Sequence, residues 1–566
     1  MTKAGILLLS CTLAGVAHAG TDAAAQNAQT KVFTTVERTV VPVAVSTDAP
    51  PVAPYDIPSF EKYGYGRWEY GPGVPYAKKL DLMPASYAPA ANAAKLLHFF
   101  TMTDIHITDK ESPAEAVFYG VMPMHPIISA YSPAMLYTTH VLDAAVRTAN
   151  ALNKENKFDF GLSLGDAANS TQYNELRWFI DVMDGKTINP SSGAHLGADK
   201  IDYQMPYKAE GLDKSIPWYS TIGNHDHFWM GSFPETEKTR KAATGSAIME
   251  IGNIFTSNLG TATTGYYVGV VDGGTEYGTP KGYGPVSKFP APPTVAADPD
   301  RRSLNISQWI GEFFNTTTEP RGHGFSAKNA KNGFANYTFQ PNPKLPLEVI
   351  VLDDTQRDDN PSDGHNGPDW GHGYLDAKRY AWLLKQLDKG QKEGKLMIIS
   401  AHVPIGVSSA DALEGWSTLA AVTEKDLIAK LNTYPNLLMW VAGHRHKNTV
   451  TPLKSPDPAH PELGFWVVET ASLREFPQQL RTFQIDRNAD NTLSIFVADV
   501  DPMIDGLPLV AKARANAIAA NQIFKTMPPA SDPAGSSYGT INAELVKALT
   551  PQMQAKLKNC GTPLAK

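Results

Sequence analysis

Five apolar runs of seven or eight residues punctuate this chain: LLHFFTMT (96–103), FDFGLSL (158–164), IPWYSTI (216–222), KLMIISA (395–401) and NLLMWVA (436–442). Runs this short and this continuously apolar suit strands of a sheet covered on both faces. Each is followed at once by acid, histidine or asparagine: Asp104-Ile105-His106, Gly165-Asp166, Gly223-Asn224-His225-Asp226, His402, and Gly443-His444-Arg445-His446. Side chains able to hold a ligand therefore fall where strands leave the sheet, which is where open α/β sheets bind.

Helical patterns alternate with these runs. Residues 137–156 (YTTHVLDAAVRTANALNKEN), 375–390 (LDAKRYAWLLKQLDKG, closing in Lys and Gly) and 423–435 (TEKDLIAKLNTYP, stopped by Pro435) space their apolar residues as amphipathic helices do. The alternation predicts a layered α/β domain. At ~150 residues per domain, 566 residues would make three or four units. The spread of the five blocks from 104 to 446 argues instead for one large domain with insertions. The expected organisation is a signal peptide over 1–19, an extension over 20–92 with TVERTVVPVAV as an edge strand, a core over 93–500 and a helical tail over 501–566. ARANAIAANQIF and NAELVKALTPQMQAKLK supply the tail helices. GFWVVETAS, RTFQIDR and LSIFVAD read as further strands, the last two as a hairpin, and the Gly/Pro-rich stretch 271–299 reads as a long surface loop or lid.

A formal net charge of −7 offers no basic surface for a nucleic-acid backbone. An acidic chain can still act on anionic esters where bound cations dominate the local field. Lys3, the apolar stretch from Ile6 to Val16 and Ala17-His18-Ala19 before Gly20 form an export signal, too short for the ~20 residues that span a bilayer. The expected location is periplasmic or secreted, with lipidation at Cys11 as the alternative. Cleavage after Ala19 leaves only Cys560, so no intrachain disulfide can form. No other segment has transmembrane character.

A D-x-H tripeptide alone is no better than a surface turn. In extended geometry, however, Asp104 and His106 point the same way, as do His444 and His446. GNHD and GHxH are more specific, and all five blocks in this order, each behind a strand-like run, are not explained by chance. The order resembles the calcineurin-like metallophosphoesterase superfamily, which includes protein phosphatases, cyclic-nucleotide phosphodiesterases and purple acid phosphatases. The resemblance covers roughly 95–475.

It implies a four-layer α/β/β/α sandwich carrying two divalent or trivalent metal ions. Asp104, His106 and His446 would hold the first, Asn224, His402 and His444 the second, and Asp166 would bridge. Mixed imidazole, carboxylate and amide donors suit Fe, Mn or Zn. The implied chemistry is hydrolysis of a small-molecule phosphate ester by a metal-bridging hydroxide. His225 would act as general acid, with Asp226 orienting its imidazole and raising its pKa. Arg445, between two ligands, would point away as a structural residue. Purple acid phosphatases place a tyrosine ligand three residues after the bridging aspartate and lack the first-block histidine. Here Asn169 occupies that place and His106 is present. The pattern is therefore closer to the phosphodiesterase-like branch, with a phosphomonoesterase as the alternative and a catalytically inactive binding protein of the same fold behind it. Structural zinc sites, closed by four Cys/His ligands, do not match this donor set.

Other candidates are weaker. The acidic stretch 353–372 reads as a solvated loop rather than a cation site. His227, Phe228 and Trp229 either line a substrate pocket or pack beneath the loop. Arg474 and Gln479, in SLREFPQQLRTF, are candidates for facing the pocket, and His98, His125, His140, His195, His323 and His460 carry no motif.

Overall fold

Two mixed sheets organise the chain. The computed structural model describes residues 31–121, 128–252, 265–355, 371–407, 415–417, 420–526 and 539–564. The larger sheet has eight strands in the order Ala77–Lys79, Ala543–Lys547, Leu493–Val500, Leu480–Asn488, Asn92–Met102, Phe160–Ser163 and Trp218–Ser220, with Thr562–Pro563 also on Asn92–Met102. The smaller runs Tyr337–Phe339, Leu347–Val351, Leu396–Ser400, Leu437–Ala442, Phe465–Glu469 and Thr449–Leu453. All five apolar runs form strands. Asn92–Met102, Phe160–Ser163 and Trp218–Ser220 are parallel neighbours in one sheet, and Leu396–Ser400 and Leu437–Ala442 in the other.

Their register matters for function. Met102 pairs with Ser163, Ser163 with Ser220 and Ser400 with Val441, so all five carboxyl ends finish nearly level. The sheets meet where they finish: the Thr101 and Thr470 hydroxyls lie 2.8 Å apart, those of Thr221 and Ser400 2.9 Å. Farther along, Tyr219 stacks on Phe339 at 3.5 Å. Core packing reaches the edge of the site, since the buried Trp440 indole donates to Val403 O at 3.0 Å, one residue beyond His402.

Thr138–Glu155 and Ala377–Glu393 form the expected helices, and Thr423 caps Glu424–Leu431 by accepting the Asp426 amide. The second runs past Gly390, which lies against the sheet where a Cβ would meet Met397 Sδ at 2.4 Å; it stops at Gly394 in left-handed backbone. Two expectations need correction. NAELVKALTPQMQAKLK is not one helix: Ala543–Lys547 is a buried strand and Pro551–Leu557 a separate helix capped by Thr550. Pro551 fits a helix only in its first turn, so the helix begins there. The 271–299 stretch is not all loop, because Thr279–Pro285 pairs antiparallel with Tyr266–Asp272.

Arg38–Pro42 pairs with Trp68–Pro72, and Phe60 and Tyr65 pack on Ala519 and Ile523 of the Pro508–Thr526 helix. From Phe33 onward the chain forms one compact unit. The signal-peptide residues, including Cys11, lie outside the described residues. No helix among the described residues is long and apolar enough to cross a membrane.

Candidate metal centre

Asp104, His106, Asp166, His444 and His446 all adopt positive φ, between 45° and 74°. The D-x-H and H-x-H segments are therefore not extended, contrary to the expectation from spacing. Side-chain-bearing residues in this region cost roughly 1–3 kcal/mol each and persist only where their surroundings over-determine them. Here the hydrogen bonds do so. Asp104 N donates to Gly165 O at 3.1 Å, His106 N to Asp166 O at 3.0 Å, and His444 N to Asp104 Oδ2 at 2.9 Å. Two glycines permit the approach: a Cβ on Gly223 would sit 2.1 Å from Asp166 Oδ1, and one on Gly443 2.1 Å from Thr103 Oγ1.

The carboxylates are each half engaged. Asp104 Oδ2 accepts from the Thr103 hydroxyl and the His444 amide, while Oδ1 has no hydrogen-bond partner. That Oδ1 lies 3.4 Å from His446 Nε2, 3.8 Å from His106 Nε2 and 3.9 Å from His402 Nε2. Asp166 Oδ1 accepts the His225 amide at 2.8 Å, and Oδ2 lies 3.2 Å from His402 Nε2 and 3.7 Å from His106 Nε2. Asn224 turns its amide oxygen inward, because its Nδ2 donates to Gly231 O at 2.9 Å. His402 Nε2 and His444 Nδ1 lie 2.9 Å and 3.2 Å from that oxygen. His402 Nδ1 faces Leu164 O at 2.9 Å, which leaves Nε2 as the lone-pair nitrogen.

Three groups of donor atoms, each within 4.8 Å, could hold a metal ion: Asp104, His106 and His446; His106, Asp166 and His225; Asp104, Asp166 and His402. The imidazole nitrogens and carboxylate oxygens crowd one another, as where His106 Nε2 meets His446 Nε2 at 3.1 Å. Asp104 and Asp166 present carboxylate oxygens within 4.8 Å of each other, and two like charges that close repel by at least about 3 kcal/mol at an effective dielectric near 20. Positive charge is what this donor set lacks, and cations fit it.

Protons stand in for that charge in the metal-free protein. Burial opposes a charge on His402, but Asp166, Asp104 and Asp354 outweigh it and hold the ring up to about 10. On His446 burial is likewise overcome, by Glu475 and Asp104. Against the cost of burial, neighbouring imidazoles hold Asp104 and Asp166 below the usual carboxylate range. Burial pushes His225 down to about 3, and burial with His402 does the same to His444.

Some assigned roles shift. Asp226 does not orient His225: its oxygens accept the Ala168 and Gly223 amides at 3.0 Å and 2.9 Å and cap the short turn. The His225 ring is held instead by Asn169, whose carbonyl accepts Nδ1–H at 2.6 Å. Arg445 points away as expected, donating from Nε and Nη2 to Glu469. Trp229 packs under the loop, its indole on Ala114 O at 2.8 Å, and His227 lies 3.1 Å from the Thr355 hydroxyl. Gln479 bonds Asp501 and Asn448, outside the donor cluster. Of the acidic stretch, 356–370 lie outside the described residues, as does His125. His98, His140, His195, His323 and His460 bond or stack on residues other than the donors.

Asp354 and Glu475 also reach the donors, and Asp354, expected in a solvated loop, is fully buried. Asp354 accepts the His402 and Val403 amides at 3.1 Å and 2.9 Å, and Glu475 Oε2 lies 3.1 Å from His446 Nδ1. Asp354 follows a strand run, LEVIV, as the donor blocks do, and that position was its one signal.

No protein-family model matches this chain, and no curated protein matches it. Among solved structures it is similar to a dimetal phosphatase from Danio rerio, with 10% sequence identity and a TM-score of 0.36, over 72% of this chain and 97% of that one.

Proposed function

We propose that this chain is a dinuclear-metal phosphohydrolase of the calcineurin-like metallophosphoesterase superfamily, of the phosphodiesterase-like branch, acting on a small phosphate ester. One observation carries the reading: donors from five strand ends converge with Asp104 Oδ1 unpartnered and Asp166 Oδ2 between His106 and His402. Asp104, His106 and His446 would hold one ion, Asn224, His402 and His444 the other, with Asp166 shared. Bound there, two cations supply Lewis acidity toward phosphoryl oxygens and a nucleophilic oxygen at neutral pH. Fe, Mn or Zn suits the donor mixture.

The chain's own residues do the rest. Asp104 and Asp166 each fix one oxygen on backbone amides and present the other, so the donors are arranged before any ion arrives. His225 is half-buried beside His106, with ring centroids 4.4 Å apart, and a leaving group would depart past it. Asn169 O holds its Nδ1–H, so Nε2 carries any proton passed to the leaving oxygen. The same reading includes a four-layer α/β/β/α core over 93–500 with the flanking segments wrapped on it, and export after cleavage behind Ala19.

Metal analysis with a substrate panel tests it. Two ions per chain and turnover of bis-p-nitrophenyl phosphate, a cyclic nucleotide or a glycerophosphodiester support the diesterase. Turnover confined to p-nitrophenyl phosphate makes it a monoesterase. Two bound ions with no turnover on any of these leave a binding protein.

A further inference from the structure

Arg474 is buried, 1% exposed, and does not face solvent. Its Nη1 donates to Asn169 Oδ1 at 2.6 Å. Asn169 is itself pinned on every side. Its N–H donates to Ile107 O and Glu175 Oε2 at 3.0 Å and 3.1 Å, its Nδ2 to Glu115 Oε1 at 2.7 Å, and its carbonyl takes Nδ1–H of His225 at 2.6 Å. On the other side, Arg474 and Glu475 are chain neighbours, and Glu475 holds His446. The segment is stapled to the first block: the Ser472 hydroxyl donates to Asp104 O at 2.7 Å and accepts the Arg474 amide at 2.9 Å. Glu115, Glu475 and Glu175, in that order, balance the guanidinium charge that burial opposes.

We infer that Arg474 is a positioning residue that ties the loop holding His225 to the loop holding His446, through the Asn169 side chain on one side and Glu475 on the other. Nη1 alone makes a hydrogen bond, Nε and Nη2 having no partner among the described residues, so the fixed direction of that one N–H on a planar guanidinium is what a lysine would lose. Its reach into catalysis rests on the proposed hydrolase reading; its reach into the geometry of His225 does not.

Two readouts separate these. In the metal-free protein, the His225 Nδ1–H, shielded on Asn169 O, gives a downfield proton resonance, assigned by its loss in His225→Gln. Arg474→Lys and Asn169→Ala are both expected to shift that resonance and speed its exchange, although neither replaces a side chain that bonds the imidazole, Asn169 holding it by its backbone carbonyl. On the metal-loaded enzyme each is expected to lower kcat about 10- to 100-fold with KM within about twofold, the size expected from a misplaced catalytic group. Metal content should stay at the wild-type value. The double variant should be no worse than the poorer single one, because both break one connection. An unmoved resonance in both variants, or losses that add in the double variant, overturns the inference. A shifted resonance with unchanged turnover upholds the positioning and strikes instead at the role given to His225. If Arg474→Lys does not fold, Asn169→Ala, which removes no charge, decides the matter alone.

Discussion

Glu475 holds the His446 ring by Nδ1 at 3.1 Å, and the opposite nitrogen faces Asp104 Oδ1 at 3.4 Å. A carboxylate behind an imidazole selects its tautomer and strengthens it as a donor. Glu475 thus decides whether His446 offers a lone pair on the correct side.

Glu475→Gln keeps the shape and removes the charge. Loss of an outer partner of this kind costs about 10- to 100-fold in metal affinity. Calorimetric titration of Mn²⁺ or Zn²⁺ into the metal-free variant should show one site weakened by that factor and the other nearly unchanged. Equal affinities at both sites would mean that His446 orients itself without Glu475.

The Asp166 carboxylate lies between both donor sets, so Asp166→Asn should lower metal content and cut turnover by orders of magnitude while the fold survives. Gly223→Ala should give a milder version of the same defect. Its Cβ would fall 2.1 Å from Asp166 Oδ1 and push the carboxylate off its position without touching its charge. Metal content by emission spectroscopy and the far-UV circular dichroism spectrum check both. Full metal and near-normal turnover in Asp166→Asn would end the dinuclear assignment.

The share of the metal-free protein's stability that His402 contributes should decline on the alkaline side, against an opposite contribution from Lys547, which burial pushes down to about 7. His402 rises from 6.5 to about 10 on folding, so between those values the folded state binds more protons than the unfolded one. Its contribution is complete below about pH 6.5 and is lost as pH rises through about 10. Asp104 and Asp166 act on the other limb. Their pKa values are depressed, so their contribution is present above about pH 4 and lost as pH falls further. Metal displaces the His402 proton, so loading should flatten the alkaline decline and release protons. Scanning calorimetry from pH 5 to 10, with and without metal, measures the first. A metal-free Tm that falls equally in wild type and His402→Gln would show that the decline has another source.

What could be read from sequence was set by what a strand end demands. LLHFFTMT and NLLMWVA declare their strands because every residue of a central strand is apolar, and Asp104 and His444 stand out by contrast. Glu475 did not stand out, and Asn169 did so only as the residue in the place of a tyrosine ligand. Glu475 follows no apolar run, and Asn169 works through its backbone carbonyl, which any residue possesses. The positive φ of Asp104 and His106 was hidden for a similar reason. The residues that hold that conformation, Gly165 and Ser472 at Asp104 and Asp166 at His106, are far away in sequence. Asp226 misled because adjacency to His225 suggested contact, whereas one turn of helix carries its carboxylate back to Gly223.

Asn169 O holds the His225 Nδ1–H, and burial disfavours the charged ring, pushing it down to about 3 in the metal-free protein. Acid catalysis requires the imidazolium, so its second proton has to be stabilised by the negative charge of bound substrate. If it then protonates the leaving oxygen, His225→Ala should hurt esters with poor leaving groups most. A p-nitrophenyl ester leaves without a proton and should be hurt far less. General acid catalysis contributes ~10²–10⁴-fold, which bounds the difference between an alkyl ester and its p-nitrophenyl counterpart. Metal content should match wild type, because Asp104, His106 and His446 form a complete donor group without His225. Equal losses on both esters with metal retained would make His225 a residue that orients substrate or stabilises its charge. Loss of metal would make it a ligand, the role open to it through its grouping with His106 and Asp166.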